Sequence, residues 1–402
     1  MRFLTQTGRG WLNNRRMPTD IERAAALAAL SHDPYPIYRR LRDEGGCVYV
    51  DAVDRYVIPR FKDVYELDLN PAVSAGEDNS LMFRAMGLTM RRLDGAANRR
   101  LRASCQDVLR GKAFTSIWFD RFRAAADGLI DELHPRGHAD LVAEFAAPFA
   151  SRVAKLLIGI DDLDDEQVAS ASQAFMDGVA NHQDDPRVWA RCEWANSLID
   201  DAVSRCRGRA EPGTVLRSMV DAGLTTDEIR ANVKLFVGGS INEPRDVITS
   251  TVWAVLRDPV QAELVRSNRA LLSAAVEETL RWLSPIGMVP RSMRENGVIA
   301  GVPLAAGTPL WVLIASANRD ERRWENADAF DLRRASQGHV AFGHGPHVCL
   351  GAFMARRTIG ATVLPTIFER LENLEIVVGA EPQPRGWVLR GLEMLEVTWS
   401  TA

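Results

Sequence analysis

Cys349 lies in a sequence setting that favours reactive sulfur chemistry. The segment 342–352 places three glycines and one proline around it, and an apolar helical pattern follows directly. Backbone N–H groups of such a loop and the positive end of a helix both stabilise a thiolate, so the segment predicts a lowered pKa for the Cys349 thiol. A thiolate in this setting acts as a metal ligand or as a nucleophile.

Three other interpretations of Cys349 explain less of the segment. A free cysteine is most often a buried structural thiol, but that role requires none of the surrounding glycines. His339, His344 and His347 suggest zinc, yet no second cysteine and no His-x3-His pair on a helix completes a tetrahedral set. A cysteine–histidine hydrolase would leave the rest of the chain without a role.

The spacing Phe342-Gly-x-Gly-x-His-x-Cys-x-Gly resembles the haem-binding loop of the cytochrome P450 family, in which the cysteine thiolate is the fifth ligand of the haem iron. The resemblance implies haem b as the cofactor, Cys349 as the iron ligand and Phe342 as a haem-binding residue. It also implies the family's fold, which is mainly α-helical with small β-sheets and has a long central helix over the haem. We therefore expect residues 1–402 to form a single catalytic domain.

A second part of the resemblance is the pair Glu278 and Arg281. Residues at i and i+3 share a helix face, so the two side chains can pair, although such a pair alone is more typical of a solvated surface. It lies about 70 residues before the cysteine loop, where the family has a buried Glu–Arg pair. The family network has an arginine as its third member, for which Arg334 fits best and Arg333 is the alternative.

Haem carries two propionates, which require cationic or hydrogen-bond-donating partners. By resemblance, His347, Arg291 and Arg102 are expected to bind them. Asn98 stands where the family has a histidine, so it can offer only a neutral donor there. The alternative is that the arginine-rich segment 94–102, which carries Asn98 and Arg102, forms a solvated helix face.

The elements that must position these residues are mostly helices. The long helix expected over 226–257 begins with a capping box at Thr225 and Glu228. Two glycines and Pro244 near its centre predict a kink, with a loop between two shorter helices as the alternative. Apolar periodicity predicts further helices over 36–44, 98–109, 116–133, 165–179, 187–207 and 268–283, and short strands over 48–59, 297–303, 309–314 and 395–399.

Oxygen-activating members of the family carry an acidic residue followed by threonine in the centre of this helix, where the two relay protons. This sequence has Ile241 and Asn242 at those positions, and the acid Glu243 follows. We therefore expect Asn242 and Glu243 to form a substitute relay. The alternatives are that the enzyme uses peroxide or that the substrate assists.

The expected substrate site above the haem is chiefly apolar. It combines part of the long helix with the segment after Pro285, and the segment 74–90 is expected to set specificity. Such a lining predicts a hydrophobic small organic substrate. The predicted lining residues are Leu235, Val237, Gly238, Ile286, Met288 and Val289.

Composition restricts the remaining function classes. The chain has 402 residues, and its 49 basic and 53 acidic residues form no long run of like charge, which argues against a nucleic-acid-binding arm. No apolar stretch is long enough for a membrane anchor. Five scattered cysteines without a Cys-x-x-Cys pair fit a reducing compartment, so we expect a cytoplasmic protein.

The resulting hypothesis is a haem-thiolate monooxygenase that inserts one oxygen atom from O₂ into an apolar substrate. Its electrons would come from a separate ferredoxin or flavodoxin with its reductase, because the chain shows no flavin or iron–sulfur segment. One alternative is a peroxide-using or oxidative-coupling haem-thiolate enzyme. The other is a haem-binding sensor without turnover.

Overall fold

Helices make up most of the structure, a computed structural model that describes residues 20–76, 80–336, 338–379 and 382–401. The predicted fold class, mainly α-helical with small β-sheets, is confirmed. The α-helices are α1 (Asp20–His32), α2 (Tyr35–Glu44), α3 (Phe61–Leu67), α4 (Leu81–Met86), α5 (Gly95–Ala103), α6 (Gly111–Ala113), α7 (Phe119–Leu133), α8 (Ala147–Ile158), α9 (Asp165–Val179), α10 (Pro186–Cys206), α11 (Val215–Asp221), α12 (Thr226–Gly239), α13 (Asn242–Leu256), α14 (Pro259–Ser267), α15 (Leu272–Trp282), α16 (Ile314–Ala317), α17 (Ala352–Thr358) and α18 (Leu364–Arg370).

The strands form three small sheets. The largest has the order β1-β2-β8-β5-β3; its β2–β8 pair is parallel and its other pairs are antiparallel. The second has the order β4-β10-β9, and β6 and β7 form a hairpin. The strands are β1 (Val48–Val50), β2 (Arg55–Ile58), β3 (Val73–Ser74), β4 (His138–Asp140), β5 (Val289–Met293), β6 (Gly297–Ile299), β7 (Val302–Leu304), β8 (Pro309–Val312), β9 (Glu375–Ile376) and β10 (Glu396–Thr398).

Helix α9 lies at the centre of the helical part and packs against α4, α8, α10 and α12. Val168, Ala171 and Phe175 recur at three- and four-residue steps along it, and all three are buried in the main hydrophobic core. A capping box at Asp164 and Gln167 begins the helix. Among the helices in the described ranges, none is both long and apolar enough to cross a membrane.

Two helices, rather than one kinked helix, cover 226–257. Helix α12 starts at the predicted capping box and ends at Gly239, and α13 starts at Asn242 after the turn at Ser240 and Ile241. Pro244 lies in the first turn of α13, where its missing N–H would have no helical partner in any case. The structure therefore has the two-helix alternative, and the expected kink is wrong.

A buried network around Glu278 connects α15 to the segment that precedes the cysteine loop. Arg281 donates to both carboxylate oxygens of Glu278 at 2.8 Å, and neither residue is accessible to water. Arg334 donates to Glu278 at 3.1 Å and Ser336 at 2.6 Å. The third member of the network is therefore Arg334, and Arg333 is not part of it.

We predict that Arg281→Ala lowers the free energy of unfolding by about 3–5 kcal/mol, because it leaves the carboxylate of Glu278 buried without its main partner. Denaturant unfolding of the haem-loaded protein measures the change. The matched control is Arg266→Ala on α14, since Glu263 and Arg266 have the same i, i+3 spacing in an exposed pair. The control is expected to unfold like the parent, and equal stability of the two variants would contradict the prediction.

Candidate functional site

The cysteine loop has a backbone that favours glycine at two positions. Gly343 and Gly345 have φ angles of 71° and 63°. A Cβ atom on Gly345 would lie 2.7 Å from the carbonyl oxygen of Asp68. The Cys349 N–H donates to the carbonyl oxygen of Phe342 at 2.7 Å, which closes the loop just before α17.

Cys349 is exposed, although the protein around its sulfur still weakens the solvation of the thiolate. The other four cysteines are buried. Burial raises the pKa of the Cys349 thiol, and a hydrogen bond from the Gly351 N–H opposes the rise only in part. The predicted lowering of this pKa is therefore wrong for the chain alone, because desolvation outweighs one N–H group.

Helix α15 also holds the loop through Glu277. Arg356 of α17 donates to Glu277 at 2.6 Å, and His339 Nε2 lies 3.3 Å from the second carboxylate oxygen. Burial alone would raise the pKa of Glu277, but the nearby His339 and the hydrogen bonds from Arg356 lower it to about 2. Glu277 is therefore ionised, and α15 fixes the chain on both sides of Cys349.

Two arginines lie close to Cys349. Arg102 Nη2 donates to the carbonyl oxygen of Val348 at 2.8 Å. Arg91 is enclosed by protein and makes no hydrogen bond or ion pair with any residue of the described ranges. Burial and the charges of neighbouring arginines together lower the pKa of Arg91 to about 10, whereas Glu243 and Cys349 oppose the shift. Arg91 was not among the residues predicted from the sequence, although two adjacent arginines in an apolar segment indicate a cation held inside the protein.

Arg291 and His347, the other expected propionate partners, both contact carboxylates of the chain. Arg291 lies 3.0 Å from Asp68, and His347 Nε2 lies 2.8 Å from Asp94. Burial lowers the pKa of His347 more than the hydrogen bond with Asp94 raises it. His347 is therefore a neutral imidazole at neutral pH, held in place by Asp94.

Asn98 does not join this group. It is buried, and its Nδ2 donates to the carbonyl oxygen of Met90 at 2.7 Å. The side chain therefore links α5 to the turn at 90–92, because a buried carbonyl requires a donor. The expected role of Asn98 as a propionate donor finds no support in this geometry.

A cavity of about 410 Å³ lies beside α12, the first turn of α13 and the segment that follows α15. Of the expected substrate residues, Leu235, Ile286 and Met288 line it. Glu243 and Arg91 line it as well, and both are close enough to Cys349 for their charges to shift the pKa of its thiol. The cavity and the cysteine therefore belong to one site.

The other three expected lining residues lie outside this cavity. Val237 is fully buried in the main core, because the helix turns it away from the lining residues of α12. Gly238 packs on α9, where a Cβ atom would lie 2.7 Å from Met176. Val289 is buried in the core beneath the largest sheet, together with Val312 of β8.

Asn242 and Glu243 begin α13 in different surroundings. Asn242 is buried, and its Nδ2 donates to Ser172 Oγ on α9 at 2.8 Å. Glu243 lines the cavity, and its Oε2 is buried without a hydrogen-bond partner among the described residues. The two side chains form no connected relay, so Glu243 is the member of the pair that can exchange a proton with a molecule in the cavity.

Burial raises the pKa of Glu243 from 4.5 to about 7. A backbone hydrogen bond at the start of α13 opposes the shift, and the nearby carboxyl of Asp246 adds to it. A carboxyl group with a pKa near neutrality gives up and takes up protons with similar ease at neutral pH. The site thus combines a cavity, a sulfur and an acid–base group.

Comparison with known proteins decides the family. A family model described as Cytochrome P450 matches residues 255–384. Cytochrome P450 107B1 of Saccharopolyspora erythraea is 30% identical over 401 residues, which covers 92% of this chain and 96% of the relative. The chain belongs to the cytochrome P450 family. It is therefore an enzyme of an oxidoreductase family, and the resemblance found in the cysteine loop is confirmed.

Two further comparisons agree with this assignment of the P450. Nocardicin C N-oxygenase of Nocardia uniformis is 31% identical over 392 residues, covering 91% of this chain and 96% of the relative. The solved structure of the cytochrome P450 enzyme CxnD superposes with a TM-score of 0.84 at 23% identity, covering 96% of this chain and 98% of that one. The P450 fold thus extends over nearly the whole chain.

The residues of this P450 fit the haem that the family implies. Cys349 is the exposed cysteine, so its sulfur is available as a ligand. Arg91 is an enclosed cation without a carboxylate partner among the described residues, which suits an anionic propionate. Arg102 and Arg291 lie in the same region and supply further positive charge. No cluster of three or more protein ligands that could hold a bare metal ion occurs within the described ranges.

We predict that Glu243→Gln removes a pH dependence of stability. A carboxyl whose folded pKa is about 7 takes up protons on folding between pH 4.5 and 7, so its contribution to the free energy of unfolding falls as pH rises through this window. Relative to the variant, the parent should lose of the order of 3 kcal/mol across it. Urea unfolding at several pH values measures this, and parallel curves for the two proteins would contradict it.

Proposed function

We propose that this P450 is a haem-thiolate monooxygenase that inserts one oxygen atom from O₂ into a small organic substrate with a large apolar part. Its electrons would come from a ferredoxin or flavodoxin with its reductase. The observation that carries the proposal is the cavity in which a carboxyl group with a pKa near 7, Glu243, lies close to the exposed Cys349. Haem b, when bound, supplies the iron at which O₂ is activated.

The chain's own residues hold the cofactor in this proposal. The Cys349 sulfur is the iron ligand, and Phe342 closes the loop around it through its carbonyl oxygen. Arg91 is the leading partner for one propionate because it lacks another anion, and Arg102 and Arg291 add positive charge around both. We also propose one catalytic domain for residues 1–402, since the main core includes residues from Ala85 to Trp399.

Glu243 is the proposed proton donor during oxygen activation. Its Oε2 has no partner within the described chain, so it is free to donate to a water or substrate in the cavity. Asn242 contributes differently: its bond to Ser172 fixes the start of α13 and thereby the position of Glu243. In the revised proposal Glu243 is catalytic and Asn242 is a positioning residue.

A peroxide-using or oxidative-coupling P450 is the second candidate. Because Asn242 is bonded to Ser172, Glu243 has no neighbouring relay partner on α13. Peroxide already carries the protons that O₂ reduction must acquire, so such an enzyme depends less on a relay. CxnD, whose fold this chain shares, is an enzyme for C–S bond formation, so the fold accommodates coupling chemistry.

We predict that Cys349→Ser abolishes the strongly red-shifted Soret band of the reduced carbonyl complex, because a serine oxygen does not replace a thiolate as the iron ligand. Absorption spectra of the reduced protein with and without carbon monoxide measure this. Cys105→Ser is the control, since Cys105 is buried in the core. Loss of the band in the Cys105 variant alone would place the ligand elsewhere.

We predict that Glu243→Gln slows O₂-dependent product formation by about a hundredfold and diverts reducing equivalents to hydrogen peroxide, because proton delivery becomes slow. A substrate that shifts the haem spectrum is used, and NADH consumed, product formed and peroxide released are measured. Asn242→Ala is the comparison and should impair coupling less, since Asn242 acts only through the position of Glu243. Unchanged coupling in Glu243→Gln, with full product formation, would exclude the proton-donor role.

A further inference from the structure

The cavity is far more basic than the apolar lining that the sequence suggests. Among the described residues, its lining contains two carboxyl groups, those of Asp184 and Glu243. An uncharged hydrophobic substrate requires no excess of positive charge around it, and burying unneeded cations is unfavourable. The arginines that line the cavity are Arg23, Arg55, Arg84, Arg91, Arg92 and Arg291.

Most of these arginines already have a partner or a proposed role in haem binding. Arg91 and Arg291 are close enough for the charge of Arg291 to lower the pKa of Arg91, and Arg91 is close to Cys349. Both lie in the region proposed for the haem propionates. Arg84 is neutralised, because its Nη1 lies 2.6 Å from Asp184 and its guanidinium stacks 3.9 Å above the ring of Trp189. Arg92 already has an interaction partner as well. The cations that remain unexplained are therefore the two on α1 and β2.

Arg23 and Arg55 have no carboxylate within ion-pair distance in the part of the chain whose side chains are described. Arg23 Nε is buried without a hydrogen-bond partner. Arg55 donates one hydrogen bond, to the backbone carbonyl of Asp54 at 2.8 Å, while the Asp54 carboxylate accepts from the hydroxyl of Tyr49. Both guanidinium groups therefore retain donors that an anion in the cavity can use.

His182 completes this group. Its ring packs against Trp311 at 5.4 Å and Trp387 at 5.8 Å between ring centroids, which fixes its orientation. Its Nε2 is buried without a partner among the described residues. Burial, together with the charges of Arg55 and Arg23, lowers the pKa of His182 to about 4. The imidazole is therefore neutral and can present one N–H donor beside two guanidinium groups.

We propose that Arg23, Arg55 and His182 bind a carboxylate group of the substrate at the end of the cavity formed by α1 and β2. A carboxylate offers two oxygens with in-plane lone pairs, which match the N–H forks of arginine, and it relieves the repulsion between the two cations. The apolar part of the substrate then extends past Leu235 and Met288 toward Glu243. The inference rests on the proposed function, because it names the substrate class for the same cavity.

The test compares decanoate with decanamide, which is similar in shape and uncharged, by titration calorimetry on the haem-loaded protein at pH 8. The parent should bind decanoate at least about tenfold more tightly, because only the acid offers a full negative charge. Arg23→Gln and Arg55→Gln should each remove most of this preference and leave the affinity for decanamide unchanged. Equal affinities in the parent, or no binding of decanoate, would overturn the inference.

Arg84→Gln is the matched control for charge on the same cavity wall. Because Asp184 already neutralises Arg84, this variant should keep the preference of the parent for decanoate. Loss of the preference in Arg84→Gln but not in Arg55→Gln would overturn the assignment of the subsite. The carbonyl spectrum of the same samples reports separately on haem ligation, so a normal spectrum with equal affinities rejects the subsite and leaves the proposed function intact.

Discussion

A carboxylate that is sealed from water is stable only when its lone pairs all have donors, and Glu278 imposes this requirement on the region that carries Cys349. Its donors come from Arg281 on the same helix and from Arg334 and Ser336 in the segment that leads to the cysteine loop. Satisfying one buried charge therefore fixes the path of that segment. Glu277, the adjacent residue, fixes the chain after the loop, so the loop is positioned by α15 rather than by the cofactor alone.

Much of the fold could be predicted from local sequence. The elements that were missed or uncertain show what local sequence does not contain. Helices with one apolar stripe, such as α9 and α10, were predictable within a few residues of their observed ends. Helix α8 was not predicted, although Phe149, Val153 and Leu157 recur at four-residue steps and form a buried stripe along it. The break between α12 and α13 was uncertain because Pro244 breaks a helix interior but is harmless in a first turn, and the sequence does not say which turn it occupies.

The site, too, has residues that local sequence identifies and residues that only the tertiary structure brings together. Cys349 stands out because its glycines lie within ten residues of it, whereas Glu278 and Arg281 share their spacing with the exposed pair of α14, and only burial separates the two. The basic end of the cavity has no local signature at all. Arg23, Arg55 and His182 lie in three distant segments, and each alone is typical of a solvated residue. Their convergence is a property of the tertiary structure.

The position of Glu243 explains how its carboxyl group has a pKa near neutrality while its Oε2 lacks a partner among the described residues. Deep burial favours its neutral form, while the free backbone N–H groups at the start of α13 favour its ionised form. In a continuous helix those N–H groups would be bonded within the helix, and burial would act with less opposition. The turn at Ser240 and Ile241 therefore does more than interrupt a helix: by placing an acid in the first turn, it brings the two protonation states close in free energy at neutral pH.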